Sequence, residues 1–276
     1  MLSDLDLENT VKMIDYAGYA VLPKFFDFET VLKPILALTK ELNRSLDAES
    51  LSNLAPNQQR DKYVYHLHYK HIAYLSLLTD YGLLKPLRPF LQDPYYRQIP
   101  GEDENFLLAY YNARSSVDPL PLHIDNYVPS SGYHPNSMQV VISLSGQNRE
   151  NGATIIVPGS HRLPRYPDRE LEGLGEVLCC DPGDVVIWDS RLWHGALENK
   201  SGRDRWSLVA TFRPWWVKQN FDPVRGVSED IYAQATNQQK ALLGFLSLPP
   251  KDETDRISPK QGYDDLLPTI ADYRNR

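Results

Sequence analysis

Between residues 106 and 213 the chain alternates short β-branched and aromatic runs with clusters of Gly, Pro, Asn and Asp, and this alternation constrains the fold most. The runs read FLLAYYNA, SMQVVISL, GATIIVP, EVLCC, DVVIWDS and WSLVATF. Runs of this length, bounded by turn residues, are typical of antiparallel strands. The pattern predicts a mainly β core, built as an antiparallel barrel or sandwich.

The segments on either side of this core have a different texture. Helical periodicity predicts helices over residues 5–16 and 27–46, with a strand over 18–26, and a further helical pattern within residues 61–92, in the run HIAYLSLLTDYGLLKPLRPFL (71–91). Asp27 is the expected N-cap of the second helix, and Pro34 falls in its first turns. We predict one domain over residues 1–276, with a helical N-terminal part (1–104), a β core (105–215) and a helical or irregular C-terminal extension (216–276).

Composition narrows the possible partners. The 276 residues are 42% hydrophobic, which is enough for a packed core, and 36 acidic against 29 basic residues give a net charge of −7. This balance disfavours nucleic acid as the main partner, although one or two local arginines can still hold an anionic substrate.

The sequence contains no run of roughly 20 apolar residues of the kind that a membrane-spanning helix requires. The N-terminus lacks the basic and apolar parts of a signal peptide, and Cys179 and Cys180 are too close for a usual disulfide. We expect a cytoplasmic protein that acts on a small molecule.

The segment PLPLHIDNYVP, residues 119–129, contains a histidine and an aspartate two positions apart. On a strand, His123 and Asp125 would share one face and could point at one metal ion. Two histidines and one carboxylate on one face of a divalent metal are the arrangement of non-haem Fe(II) oxygenases. An H-x-D pair alone is also consistent with an exposed strand edge, so the metal interpretation requires a second histidine elsewhere.

Of the seven histidines, only His194 ends a clear β-run, in DPGDVVIWDSRLWH. A ligand delivered from a later strand is compatible with a closed β architecture. His161, in the turn PGSHR, is interpreted as structural. His123, Asp125 and His194 are therefore the candidate metal ligands.

The strand RWSLVATF follows His194 and places Arg205 and Ser207 on one face. A guanidinium beside a hydroxyl forms a clamp for a carboxylate. A dicarboxylic keto acid such as 2-oxoglutarate needs both ends held, by the metal and by this clamp. Arg203 lies on the same alternating face and is the competing anchor, but the neighbouring Ser207 favours Arg205.

Four segments in this order resemble the phytanoyl-CoA dioxygenase (PhyH) family: HID at 123–125, NGATIIVPGSH at 151–161, PGDVVIWDSRLWHGA at 182–196 and RWS at 205–207. The resemblance extends from Gly18 to about Phe212. It implies a double-stranded β-helix (jelly-roll, cupin-like) with Fe(II), 2-oxoglutarate and O2. His123, Asp125 and His194 would bind iron, Arg205 would bind the distal carboxylate, and Ser207 would assist.

The resemblance also suggests that Thr154 contacts the cosubstrate. Gln139 shares a strand face with Val141, which stands where the family often has tryptophan, and Ala196 replaces a frequent small hydroxyl residue. Asn112, on the strand before the H-x-D pair, is a further candidate pocket contact. The intact Asp125 argues against a halogenase.

The expected function is oxidation, most simply hydroxylation, of an unactivated C–H bond of a small molecule or natural product, with succinate and CO2 as co-products. Desaturation, demethylation and rearrangement stay open as outcomes, as do a catalytically silent jelly-roll binding module and a zinc hydrolase. The aromatic and histidine-rich segment 61–71 either lines the substrate entrance or packs against the core: Tyr63, Tyr65, His66, His68, Tyr69. The sequence carries no signal of oligomeric state.

Overall fold

A computed structural model of the chain describes residues 2–45, 61–95, 103–168 and 175–248, together with the single residues 99, 173, 252, 254 and 271. Its centre is a pair of antiparallel sheets, as the alternating β-runs predict. One sheet has six strands in the order β1-β8-β5-β10-β3-β2, and the other has four in the order β4-β9-β6-β7. The strands are β1 Tyr19–Leu22, β2 Lys62–Val64, β3 Leu107–Ser115, β4 Leu120–His123, β5 Met138–Ser143, β6 Thr154–Ile156, β7 Glu176–Leu178, β8 Val185–Asp189, β9 His194–Ala196 and β10 Trp206–Arg213.

Helices precede and follow the β core along the sequence. They are α1 Asp4–Ala17, α2 Lys33–Arg44, α3 Leu67–Lys70, α4 Ile72–Thr79, α5 Arg88–Leu91, α6 Pro223–Gly226, α7 Glu229–Gln234 and α8 Asn237–Leu242. Local sequence explains their ends: Ser3 and Asp6 form a capping box at the start of α1, and Gly18 ends that helix at φ 87°. Asp27 caps the π-helical turn Phe28–Leu32 that leads into α2, and Pro34 lies in the first turn of α2.

The two faces of the six-stranded sheet have different roles, as strand β10 illustrates. Leu208, Ala210 and Phe212 are buried in a large apolar cluster that includes residues of the N-terminal and C-terminal helices. Ser207 and Val209, at the alternate positions, line a cavity on the opposite face. A smaller apolar cluster joins both sheets: Val141, Ile156, Leu178, Cys180, Val186, Trp188, Leu192. The outer face therefore anchors the helices, and the inner face is available for a ligand.

Several predicted elements are shorter or more broken than the sequence pattern suggested. The helix predicted over 71–91 ends at Thr79, and a 3-10 turn, Lys85–Leu87, precedes α5. Gly82, at φ 71°, and the prolines of the following segment stop the helix. The strand predicted over 18–26 covers only Tyr19–Leu22, and the segment before the His-rich stretch forms strand β2.

The ends of two predicted regions lie outside the described residues. These are residue 46 of the second helix and most of the C-terminal extension beyond 248. In the described part of the chain, no helix has the length and apolar character needed to cross a membrane. Cys179 and Cys180 are both free thiols, and only Cys180 is buried.

Candidate metal centre and anion-binding pocket

The structure brings His123, Asp125 and His194 together at one end of the four-stranded sheet. Strand β4 ends at His123, strand β9 begins at His194, and the two residues are paired across the ladder. Two sequence expectations are therefore corrected. Asp125 and Pro129 lie beyond the end of β4 rather than on it, and His194 starts a strand rather than ending the preceding run. The convergence comes from strand pairing, with Asp125 added by the turn that follows.

A single carbonyl fixes the turn that carries Asp125. The backbone N–H groups of Asp125 and Asn126 both donate to the carbonyl oxygen of Ser190, each at 2.9 Å. Ser190 lies in the connection between β8 and β9, so the same short loop leads to His194 and positions Asp125.

Close approach of strands β4 and β9 depends on Gly195. A Cβ atom at this position would lie 2.5 Å from the carbonyl oxygen of Leu120, which is shorter than any ordinary contact. The absence of a side chain at Gly195 therefore permits His123 and His194 to face each other, with ring centroids 4.2 Å apart.

The three side chains present a donor set that fits a metal cation. Their candidate ligand atoms lie within 4.8 Å of one another. Nδ1 of His123 donates to the carbonyl of Pro121, and Nδ1 of His194 donates to that of Leu192, both at 2.9 Å. Each Nε2 is thereby directed at Asp125, at 3.5 Å from His123 and 3.3 Å from His194. With Nδ1 as the donor in each neutral ring, both Nε2 lone pairs and the carboxylate oxygens face one point, which is a donor set that suits a metal cation.

The electrostatics agree with this geometry. Burial acts to raise the pKa of Asp125, but His194 and His123 outweigh it and hold the pKa of this carboxyl well below its usual range. Burial acts to lower the pKa of His194, and the Asp125 carboxylate reverses this, so the net shift of the pKa is upward. The carboxylate therefore stays ionised and attracts positive charge to the point where the two imidazoles meet.

A cavity of about 390 Å³ opens beside these three residues, between the sheets. It is bounded by polar groups from β3 and β10, by apolar side chains, and by aromatic rings at the entrance. Its lining residues are Tyr63, Tyr65, Tyr110, Asn112, Arg114, Leu120, His123, Asp125, Val141, Thr154, Trp188, His194, Gly195, Ala196, Arg205, Ser207, Val209, Asn220 and Phe221.

Arg205 lines this cavity and is buried, with 7% of its surface exposed. Its Nη1 donates to Oε1 of Gln147 at 2.9 Å, while its buried Nε has no hydrogen-bond partner among the described residues. Burial, with a contribution from Arg114, lowers the pKa of Arg205 to about 10, so the guanidinium is still charged at neutral pH. A buried cation with an unused donor fits the carboxylate of a ligand. The competing Arg203 is exposed and does not line the cavity.

The other candidate residues have different positions. Ser207 and Thr154 line the cavity, and Thr154 Oγ1 donates to the same Gln147 oxygen at 3.2 Å. Asn112 also lines it, but its Oδ1 accepts a hydrogen bond from the backbone N–H of His66 at 3.0 Å. Gln139 is buried and does not line the cavity, because its amide bonds to Thr211 at 2.6 Å and to the hydroxyl of the lining residue Tyr110 at 3.3 Å.

At the entrance, only part of the predicted aromatic segment reaches the cavity. Tyr63 and Tyr65 line it and stack with their ring centroids 5.4 Å apart, whereas His66, His68 and Tyr69 do not line it. His161 also lies outside this cavity, and its Nε2 bonds to the carbonyl of Asp15.

Sequence reasoning missed several cavity-associated residues, among them Arg114, which lines the pocket, and Gln147, which orients Arg205. Arg114 had a readable signal, since it follows Tyr110 and Asn112 at alternate positions of one strand. Gln147 had none, because it lies in an irregular segment whose partner is distant in sequence.

Comparisons with known proteins agree with this architecture. The family model described as phytanoyl-CoA dioxygenase (PhyH) matches residues 14–207. Protein Rv1501 of Mycobacterium tuberculosis is 33% identical over 118 residues, which cover 42% of this chain and 43% of that protein. Dioxygenase cdmA of Talaromyces verruculosus is 25% identical over 266 residues, covering 87% of this chain and 83% of that one. The chain thus spans less than half of the length of the mycobacterial relative.

Solved structures share the fold at low sequence identity. The α-ketoglutarate-dependent epimerase SnoN from nogalamycin biosynthesis aligns with a TM-score of 0.60 and 18% identity, over 77% of this chain and 84% of SnoN. HygX of Streptomyces hygroscopicus, solved with nickel, 2-oxoglutarate and hygromycin B, aligns with a TM-score of 0.59 and 19% identity, over 79% and 90%. The carbocyclase SnoK aligns with a TM-score of 0.58 and 18% identity, over 77% and 84%. The fold is therefore the jelly-roll of non-haem 2-oxoglutarate enzymes, as expected from the sequence. Because the family model covers residues 14–207, which is most of the chain, the protein belongs to the phytanoyl-CoA dioxygenase (PhyH) family.

Proposed function

We propose that this protein is an Fe(II)- and 2-oxoglutarate-dependent dioxygenase, formed by one domain over residues 1–276, that hydroxylates an unactivated C–H bond of a small molecule. One observation carries the proposal. Two imidazoles whose Nε2 atoms face one ionised carboxylate share a cavity with a buried guanidinium whose Nε has no hydrogen-bond partner in the described part of the chain. A metal binder alone, or a zinc hydrolase, has no need of that guanidinium.

Each residue has a distinct part in this proposal. His123, Asp125 and His194 hold the iron, and the carbonyls of Pro121 and Leu192 keep both imidazoles in the required tautomer. Arg205 binds the distal carboxylate of 2-oxoglutarate, with Ser207 as a second donor on the same strand face. Gln147 restrains Arg205, and Thr154 completes that wall of the pocket. Asn112 supports the entrance through the backbone of His66, and Gln139 acts only indirectly, by orienting Tyr110.

When bound, iron supplies the oxidative chemistry in which O2 and 2-oxoglutarate yield succinate and CO2 while a C–H bond of the substrate is oxidised. The protein itself contributes position and exclusion of water. Trp188, Val141 and Val209 form apolar walls around the metal ligands and limit solvent access. Tyr65 and Phe221, both partly exposed, lie at the open side, where a substrate enters.

The proposed substrate class is a natural product or another small molecule. The fold neighbours include proteins solved with nogalamycin RO and with hygromycin B, which supports this choice. A second outcome, rearrangement without oxygen transfer, is favoured by the epimerase and carbocyclase among the same neighbours. The two outcomes differ in the product: hydroxylation adds one oxygen atom, whereas epimerisation leaves the mass unchanged and ring closure removes two hydrogens.

The test is O2-dependent succinate formation by purified protein with Fe(II), ascorbate and 2-oxoglutarate, in parallel with anaerobic iron binding. We expect wild type to be active, Arg205→Gln to lose most of its affinity for 2-oxoglutarate, and Arg203→Gln, the matched exposed control, to behave as wild type. Absence of both succinate and bound iron would instead indicate a silent binding module. Full activity of Arg205→Ala in a hydrolytic assay would indicate the zinc hydrolase.

A further inference from the structure

The pocket contains a second arginine, to which the proposed binding of 2-oxoglutarate assigns no role. Arg114 lies on β3, directly across the ladder from Ser207 of β10, and lines the same cavity as the metal ligands. Its side chain is 30% exposed, whereas Arg205 is almost completely buried. Arg114 is therefore the cation nearer to the entrance, and Arg205 is the deeper one.

The contacts of Arg114 leave donor capacity unused. Its Nη2 lies 3.3 Å from Oδ2 of Asp61, and its buried Nε has no hydrogen-bond partner among the described residues. Asp61 is fully engaged, since Oδ1 accepts from the backbone N–H of Val117 at 2.6 Å and Oδ2 also accepts from the hydroxyl of Tyr63 at 3.1 Å. Asp61 thus holds one end of the guanidinium in place, and Nε, which has no protein partner in the described ranges, can donate to a ligand.

The surroundings of Arg114 indicate the shape and charge of that ligand. Its guanidinium lies 5.3 Å from the ring centroid of Tyr63, Tyr65 stacks on Tyr63, and Phe221 lines the same opening. These rings suit a flat, apolar body beside the anion. The Asp61 carboxylate already offsets part of the positive charge, so a singly charged carboxylate fits better than a doubly charged phosphate.

We propose that Arg114 is the substrate-recognition residue of the pocket and binds a carboxylate carried by an aromatic or similarly flat apolar substrate. This inference rests on the proposed function, because it assigns Arg205 to 2-oxoglutarate and Arg114 to the substrate. It predicts that the two arginines can be uncoupled, since each serves a different carboxylate.

The test uses protein loaded with Mn(II) and saturating 2-oxoglutarate, so that Arg205 is occupied. Calorimetric titrations with phenylacetate, phenylacetamide and phenyl phosphate provide matched probes that differ in the charged group. We expect wild type to prefer phenylacetate, and Arg114→Gln to weaken its binding by about tenfold or more, because a charge-assisted pair is lost. Arg114→Lys should restore part of the affinity, and the exposed control Arg203→Gln should match wild type.

A separate titration of 2-oxoglutarate distinguishes the two proposals. Arg114→Gln should bind 2-oxoglutarate as wild type does, whereas Arg205→Gln should not. Loss of 2-oxoglutarate binding in Arg114→Gln would assign Arg114 to the cosubstrate and overturn the inference. So would equal binding of the acid and the amide, a preference for phenyl phosphate, or no binding of phenylacetate to wild type. Failure of wild type to bind 2-oxoglutarate would count against the proposed function instead.

Discussion

Replacing Gln147 with glutamate should separate the orientation of Arg205, the proposed cosubstrate anchor, from its charge. The Gln147 side chain is buried, and its Oε1 accepts hydrogen bonds from Arg205 Nη1 at 2.9 Å and from Thr154 at 3.2 Å. Gln147→Glu keeps the length of the side chain but puts a negative charge against the guanidinium. The new carboxylate would occupy Arg205 and repel the distal carboxylate of incoming 2-oxoglutarate.

The size of the effect follows from the separation of the charges. Two carboxylates on opposite sides of one guanidinium are roughly 5 Å apart, and at an effective dielectric constant of about 20 they repel by about 3 kcal/mol. The expected Kd for 2-oxoglutarate is therefore raised roughly 100-fold. Gln147→Leu removes the hydrogen bond without adding charge, and should cost about 1 kcal/mol, or under about tenfold in Kd.

Anaerobic titration of the Fe(II)-loaded variants, followed by the visible charge-transfer absorption of the iron–2-oxoglutarate complex, measures these constants. Asn148→Asp adds the same charge one residue further along, on an exposed side chain, and should leave the Kd unchanged. The reasoning is refuted if Gln147→Glu binds 2-oxoglutarate within about threefold of wild type, or if Gln147→Leu binds it more weakly than Gln147→Glu does.

Three further predictions concern the metal centre and the core. Gly195→Ala should lower metal affinity by about tenfold or more, because a Cβ 2.5 Å from the Leu120 carbonyl forces β4 and β9 apart. The control in the same metal titration is Gly132→Ala, since the new Cβ there would meet open space. Metal at about 100 times its Kd should add about 2.7 kcal/mol to the free energy of unfolding, which a rise in Tm would reveal. Asp125→Asn should largely abolish this rise. An equal rise in Asp125→Asn would place the metal elsewhere. Burial lowers the pKa of His68 from 6.5 to about 3, so the unfolded chain binds a proton that the native state refuses, and stability falls as pH drops from 6.5 towards 3 by up to roughly 1.4 kcal/mol per pH unit. His68→Phe should flatten this acid limb in urea unfolding, and the exposed control His134→Gln should not.

Features that depend on local periodicity were predictable from the sequence. The period of two along β10 correctly placed Ser207 on the cavity face, and the turn residues located most of the strands. His194 could be selected from its position at the end of a β-run, but its pairing with His123 could not be derived from local pattern, because periodicity within one segment does not indicate which distant strands become neighbours. For the same reason Gln147 was missed, since its role exists only once the chain has brought Arg205 beside it.

Errors in the prediction also have local physical causes. The helix predicted over 71–91 satisfies apolar periodicity, but Gly82 in the left-handed region and the prolines after it interrupt the backbone. Asp125 was placed on a strand because spacing alone does not distinguish two ladder positions from one ladder position and a turn. Asp125 still faces the two histidines, because hydrogen bonds to the Ser190 carbonyl hold the turn in the place that a continued strand would have taken.

The proposed metal ligands and the proposed cosubstrate anchor belong to different layers of the molecule. His123 and His194 lie on strands of the four-stranded sheet, whereas Arg205 directly precedes β10 of the six-stranded sheet. In the proposed complex, 2-oxoglutarate bridges the two sheets, with its keto-acid end at the metal and its distal carboxylate at Arg205. Oxaloacetate and 2-oxoadipate, one carbon shorter and one longer, should then fail to engage both ends in a competition titration. In that complex the spacing of the two sheets would set the length of the diacid that fits, and cosubstrate selectivity would be a property of the whole sandwich rather than of any one side chain.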